Sequence, residues 1–173
     1  MKTAYDIVTS TCIKLGLPRP DTFITVNIER QQLSLFGREI EKNFPVSTSR
    51  FGTGSEEGSC KTPPGLHRIA QKIGNNAPLC SIFRDRINTG IIWKPGMEEE
   101  NQILTRILRL EGLEPGKNSG PGIDSFERYI YIHGTNREEK IGTPNSHGCV
   151  CMKNDDIVEL FDIVQEGTLV HIS

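Results

Sequence analysis

Residues 23–36, FITVNIERQQLSLF, decide the fold class. Ile24, Val26 and Ile28 alternate with Thr25 and Asn27, and Leu33 and Leu35 resume the alternation beyond Glu29-Arg30-Gln31-Gln32. Successive side chains of a strand point to opposite faces, so a period of two that stops at a polar tetrapeptide and returns predicts a β-hairpin. Working outward, Phe44–Thr48 reads as a short strand, Ser49–Pro64 as a Gly/Ser-rich loop and Leu66–Ile73 as another strand. Arg128–Ile132 and Thr168–Ile172 complete the set. Neither strand–helix–strand alternation nor an internal repeat is present. The expected architecture is mostly β, a sandwich or open barrel with a few short helices.

Three helices are expected. Residues 1–17 place Tyr5, Val8, Cys12 and Leu15 on one face, with Gly16 and Pro18 as stops, although the β-branched Ile7, Val8, Thr9 and Thr11 oppose a helix there. This makes residues 1–21 an N-terminal extension. Glu98–Leu110 has Ile103, Leu104, Ile107 and Leu108 at helical spacing and three glutamates in its first turn, where the helix dipole favours them. That helix lies inside a long irregular insertion, residues 77–125, which ends in a Gly/Pro-rich stretch. Asn154 is expected to cap the third helix, with Ile157, Leu160, Phe161 and Val164 inward and Gly167 at its end.

The 173 residues suit one domain. A net charge of −2 gives no electrostatic basis for a nucleic-acid or anionic-membrane partner. No window approaches the roughly 18 apolar residues of a membrane helix. Asp6 and Lys14 interrupt the apolar residues of the first 17, so the unbroken core of a secretory signal is missing. Five cysteines without regular spacing agree with a reducing compartment, and the expected localisation is cytoplasmic.

Chemistry concentrates in residues 129–152, YIYIHGTNREEKIGTPNSHGCVCM. A cysteine nucleophile needs a base or cation, because a free thiol with pKa about 8.5 is mostly protonated at neutral pH. His133 and His147 are the histidines at hand. Gly148, directly before Cys149, permits close backbone approach and frees N–H groups to face a developing oxyanion. A buried free cysteine is more often a small apolar filler. His133, His147, Cys149 and Cys151 are also zinc-compatible donors, but the H-x-C-x-C run lacks the two-to-four-residue gap usual between structural cysteine ligands, so no metal is expected.

His133-Gly134-Thr135 followed by Ser146-His147-Gly148-Cys149 closely resembles the signature of the YkuD-type L,D-transpeptidase catalytic domain. The opening strands through Pro45-Val-Ser-Thr48, the stretch Thr62-Pro-Pro-Gly-Leu-His-Arg-Ile69 and the tail from Asn154 to Thr168 extend the resemblance over residues 22–173. It implies a cysteine acyl-transfer enzyme without cofactor, acting on peptidoglycan stem peptides at the bond between the L-centre of a dibasic residue and D-alanine. Cys149 would be the nucleophile and His133 its base, oriented by the Gly134 carbonyl. His147 would shape the pocket, and the Gly148 and Cys149 N–H groups would form the oxyanion hole. Ser146, Thr135 and Arg128 would contact substrate, under a helical lid formed by residues 77–125.

The family usually carries Arg or Asn two residues after the cysteine, where this chain has Cys151. Arg84, Arg86 and Arg128 are candidates to replace it. Cys151 itself reads either as filler or as a redox partner of Cys149, the latter strained at this spacing. Without an export signal or wall-binding domain in the sequence, the expectation is an L,D-carboxypeptidase trimming muropeptides with water as acceptor. The alternatives are an L,D-transpeptidase forming 3-3 cross-links, or a non-catalytic peptidoglycan-peptide binding module, which would lack a thiolate.

Overall fold

The hairpin at residues 23–36 is present. In a computed structural model describing residues 3–97 and 100–173, β1 (Phe23–Asn27) pairs antiparallel with β2 (Gln32–Phe36), Phe23 opposite Phe36. Ile24, Val26, Leu33 and Leu35 are fully buried, as the alternation requires. The edge strand β3 (Glu41–Pro45) comes earlier than the expected Phe44–Thr48. Beyond Pro45 the chain leaves the ladder. Val46 N–H bonds to Gln31 O, and Ser47 exchanges both backbone hydrogen bonds with Cys151, 2.9 and 2.8 Å.

β4 (Gly65–Ile73) and the closing strand β10 (Leu169–Ile172) continue the sheet. β10 lies parallel to β1 and antiparallel to β4. The described residues form one mostly β, unclosed sheet with two α-helices. Among the described residues no helix is long and apolar enough to cross a membrane.

Residues 77–125 depart from expectation. β5 (Ser81–Arg84) and β6 (Ile87–Ile92) form a hairpin whose turn residues Asp85 and Arg86 both have positive φ, 48° and 68°. In place of the helix at Glu98–Leu110 the chain forms β7 (Ile103–Gly112), the strand that carries the sheet's branch. Glu98 and Glu99, which would open that helix, lie outside the described residues. One edge of β7 is lined by β4 and β5 and the other by β8 (Tyr131–Thr135).

The misreading has a cause in the backbone. A bulge lies between Leu104 and Ile107, with Thr105 at φ +72°. The apolar Leu104, Ile107 and Leu108 on either side of it have the spacing of a helical face, although residues 104–110 are all buried. The bulge is held by side chains. Thr105 Oγ1 donates to Asn154 Oδ1 at 2.5 Å and accepts Cys80 N–H at 3.0 Å.

α1 (Ala4–Lys14) forms, with a capping box between Thr3 and Asp6, and buries Val8 and Cys12 against Phe23 and Leu66. Met1 and Lys2 of the expected 1–17 span lie outside the described residues. α2 (Asn154–Ile163) packs on β7 and β8 with Ile157, Leu160 and Phe161 inward. Asn154 is its first residue and not its cap, which is Lys153. The Asn154 side chain points into the fold, donating to Thr135 O (2.9 Å) and Glu138 Oε1 (2.6 Å), while Glu138 also accepts the Asn154 backbone N–H. A carboxylate from the preceding 3-10 turn, Glu138–Lys140, thus does the capping.

The Gly/Pro-rich stretch is ordered through buried His67. Its Nδ1 meets Gly65 O at 3.0 Å, which can only accept, so Nε2 accepts from Ser125 Oγ at 2.9 Å. Burial pulls this imidazole down to about 4. Between about 6.5 and 4 the unfolded chain therefore binds a proton that the folded chain refuses. Stability is complete above 6.5, falls as pH drops through this window and levels off below it. The expected loss from His67 alone is about 3 kcal/mol at 1.36 kcal/mol per pKa unit. Urea unfolding at pH 7 and 4.5 should show it, and His67→Gln should reduce the dependence by about that amount, leaving the part that buried His133 contributes over the same window. An unchanged slope in that variant would refute the assignment.

Candidate active site

Parallel pairing of β8 with β9 (Val150–Met152) sets His133 opposite Cys151 and Gly134 opposite Met152. Two segments separated in sequence by a polar loop become neighbouring strands. By alternation Tyr131, His133 and Thr135 share one face of β8, and Cys149 directly precedes β9. His133 is buried. Its Nδ1 lies 2.8 Å from Gly134 O, so Nδ1 carries the proton and Nε2 the lone pair. Burial pulls the ring down to about 4, against the Gly134 hydrogen bond. The imidazole is neutral at neutral pH.

Cys149 is half-buried. Its Sγ accepts Tyr131 N–H at 3.4 Å and lies 3.6 Å from Tyr129 O. Burial pushes the thiol up to about 11, opposed by the Tyr131 N–H and by the Arg128 cation. The resting pair is thiol and imidazole, not thiolate and imidazolium. A missing thiolate therefore does not mark a non-catalytic module.

The turn before Cys149 is shaped by Ser146 and Gly148. Ser146 Oγ donates to Cys149 O at 2.5 Å and accepts Gly148 N–H at 3.3 Å. Gly148 has φ +125°, and a side chain there would also meet Ile130 and Lys61 O at 3.3 Å. His147 is exposed. Its Nε2 lies 2.9 Å from Arg50 Nη2, which only donates, and its ring tilts against Phe51.

Ser146 and Thr135, expected to contact substrate, are both buried, with their hydroxyls engaged by the protein. Thr135 Oγ1 donates to Asn101 Oδ1 at 2.8 Å and accepts Arg137 N–H at 3.1 Å. Arg128 holds the 54–61 loop through Lys61 O (2.8 Å) and Gly54 O (3.3 Å), and its charge acts on Cys149 from that position.

Three residues at the site were not singled out as site residues from sequence. Tyr131 supplies the N–H on Cys149. Tyr129 has φ +55°, and its carbonyl lies beside the sulfur. Asn101 reaches the site from the segment before β7. Arg86, named above only as a possible replacement cation, donates to Tyr131 Oη at 3.2 Å and stacks 4.8 Å over Tyr129. With Phe83 packed against Ile107, Tyr131 and Cys149, the element flanking the thiol is the β5–β6 hairpin and not a helix. Among the described residues no group of three or more His, Cys, Asp or Glu is gathered to hold a metal.

Residues 21–172 match YkuD, the L,D-transpeptidase catalytic domain. The chain belongs to the L,D-transpeptidase family. YqjB of Bacillus subtilis (strain 168), named as an L,D-transpeptidase, is 52% identical over 74 residues, covering 39% of this chain and 42% of that protein. ErfK/SrfK of Salmonella typhimurium, also named as one, is 34% identical over 91 residues, covering 51% of this chain and 29% of that protein. Both matches thus span less than half of the relatives' own length. An L,D-transpeptidase from Mycobacterium tuberculosis H37Rv superposes with a TM-score of 0.56 at 15% identity, covering 89% of this chain and 58% of that one. L,D-transpeptidase 3 from the same species, solved with a faropenem-derived adduct, gives 0.55 at 14%, covering 89% and 60%. At these identities the structures establish the shared fold.

Proposed function

We propose that the protein is a cysteine acyltransferase acting on peptidoglycan stem peptides, breaking the bond between an L-centre and D-alanine through a thioester on Cys149. The observation that carries this reading is the β8–β9 pairing. It sets the buried imidazole of His133, with its unprotonated Nε2, beside Cys151, two residues after Cys149, whose sulfur takes the N–H of Tyr131, two residues before His133. Since the resting thiol is protonated, its proton leaves for His133 as sulfur attacks the carbonyl carbon, and no ion pair is formed beforehand. The Gly148 N–H is engaged by Ser146, so the Cys149 N–H is the donor for the oxyanion until that turn relaxes. Collapse expels D-alanine, whose amine takes the proton back from His133.

The thioester then goes to water, giving a tripeptide, or to an amine, giving a 3-3 linked dimer. Incubation with a disaccharide tetrapeptide followed by mass analysis tests the reading. Free D-alanine accompanied by tripeptide or dimer is expected, and the partner product identifies the acceptor. Saturable binding without release of D-alanine would overturn catalysis in favour of a binding module.

A further inference from the structure

Cys151, at the position where the family resemblance implies Arg or Asn, is buried, and among the described residues its sulfur has two polar neighbours. His133 Nε2 lies 3.8 Å away on one side and Asn101 Nδ2 3.8 Å away on the other. None of the three arginines considered as replacements is the group that meets it. The amide of Asn101 is itself held by Thr135 Oγ1 at 2.8 Å, and that hydroxyl takes the Arg137 N–H at 3.1 Å. The two ends of this series fix its direction. Arg137 N–H can only donate and Gly134 O can only accept, so each group between accepts from one neighbour and donates to the next. The order is Arg137 N–H, Thr135 hydroxyl, Asn101 amide, Cys151 thiol, His133 imidazole, Gly134 carbonyl. Cys149 is outside it, its sulfur resting on Tyr131 N–H.

We propose that Cys151 and Asn101 are positioning residues for His133, with the Asn101 amide turning the Cys151 S–H onto Nε2 and so holding the imidazole in its Nδ1–H tautomer. Cys151 then occupies the lone pair of the base until Cys149 replaces it during attack. A donor to the neutral ring disfavours its protonated form and adds to the lowering that burial already imposes on His133. The link to catalysis rests on the function proposed above, whereas the tautomer does not.

The test is nitrogen NMR of the full chain labelled in histidine, with the His133 signals assigned by their loss in His133→Gln. The wild type should show a protonated Nδ1 and an unprotonated Nε2 at pH 7. Cys151→Ala should raise the titration midpoint of His133 by about half a unit to one unit and admit the other tautomer. Cys151→Ser, which keeps a donor, should restore the wild-type pattern. Asn101→Ala, a second variant outside the sheet, should move the midpoint in the same direction. A Cys151 that merely fills space would make serine no better than alanine.

The proposal is overturned if the wild type carries its proton on Nε2, if Cys151→Ala leaves tautomer and midpoint unmoved, or if Asn101→Ala has no effect. The acid limb of kcat/KM for the tetrapeptide should follow the same order of variants. Expected NMR shifts without turnover in any form would sink the proposed function and leave the positioning pair standing. Turnover with unmoved His133 signals would do the reverse.

Discussion

Cys149→Ala is expected to abolish release of D-alanine from a tetrapeptide, by a factor on the order of 10⁴ or more, because the other thiol near the base, Cys151, is buried. The substitution removes one half-buried sulfur that packs against Phe83, Ile107 and Tyr131, so stability should change by only about 1 kcal/mol. Wild-type protein quenched during turnover should carry an acyl mass increment on the peptide containing Cys149, and the variant none. Turnover that survives would remove the mechanism. His133→Ala should cost less, about 10²–10⁴-fold, since it removes general-base assistance and leaves the nucleophile in place.

The pH profile follows from the same neutral pair. His133 must be unprotonated, and burial puts it at about 4, so the acid limb of kcat/KM lies well below that of an ordinary histidine. Burial also pushes Cys149 up to about 11, so no preformed thiolate appears as pH rises through the neutral range. The rate should be nearly flat from about 5 to 9. An inflection near 6.5 would mean that His133 meets water before substrate binds.

How much of this was legible in the sequence depends on how far apart the interacting groups lie along the chain. The hairpin at 23–36 announces itself because pairing and burial repeat every second residue within one segment. Cys149 and His133 are visible for a similar reason, lying at the ends of one loop whose flanking strands pair in parallel. β7 defeats the same reasoning because the bulge inserts two residues, Thr105 and Arg106, opposite the single step from Gly134 to His133, and the apolar spacing imitates a helical face. Side-chain direction is a further blind spot. Thr135 and Ser146 sit in the motif, but their hydroxyls are satisfied by Asn101 and by Cys149 O, partners that only the folded chain brings into place. Asn101 and Arg86 come from segments that reach the site through strand pairing across β7 and hairpin geometry, and neither lies in a pattern that marks it.

Gly134→Ala should be the most damaging single methyl in the site. Gly134 is absent from the residues with positive φ, so space and not conformation demands glycine. A Cβ there would lie 2.6 Å from Asn154 Oδ1, 2.7 Å from Leu104 O and 3.2 Å from Ile157 Cγ2. None of these can yield freely. Leu104 is the residue opposite Gly134 in the β7–β8 ladder, and Asn154 is pinned by Thr105, Thr135 and Glu138. β8 must therefore move off β7, carrying the Gly134 carbonyl away from His133 Nδ1 and releasing the tautomer it fixes. Overpacking of this kind typically costs 1–3 kcal/mol, and a broken buried hydrogen bond adds about 1, so a loss of about 2–4 kcal/mol is expected in denaturant unfolding. Activity should fall further than stability explains, because the surviving folded molecules hold a misoriented base. Asn154→Ser in the same chain should clear the shorter contact and recover part of the stability, while Leu104 O still keeps the strand displaced. Wild-type stability and turnover in Gly134→Ala would show that the β7–β8 pair adjusts without disturbing the imidazole, and the rigidity assigned to this corner of the sheet would be wrong.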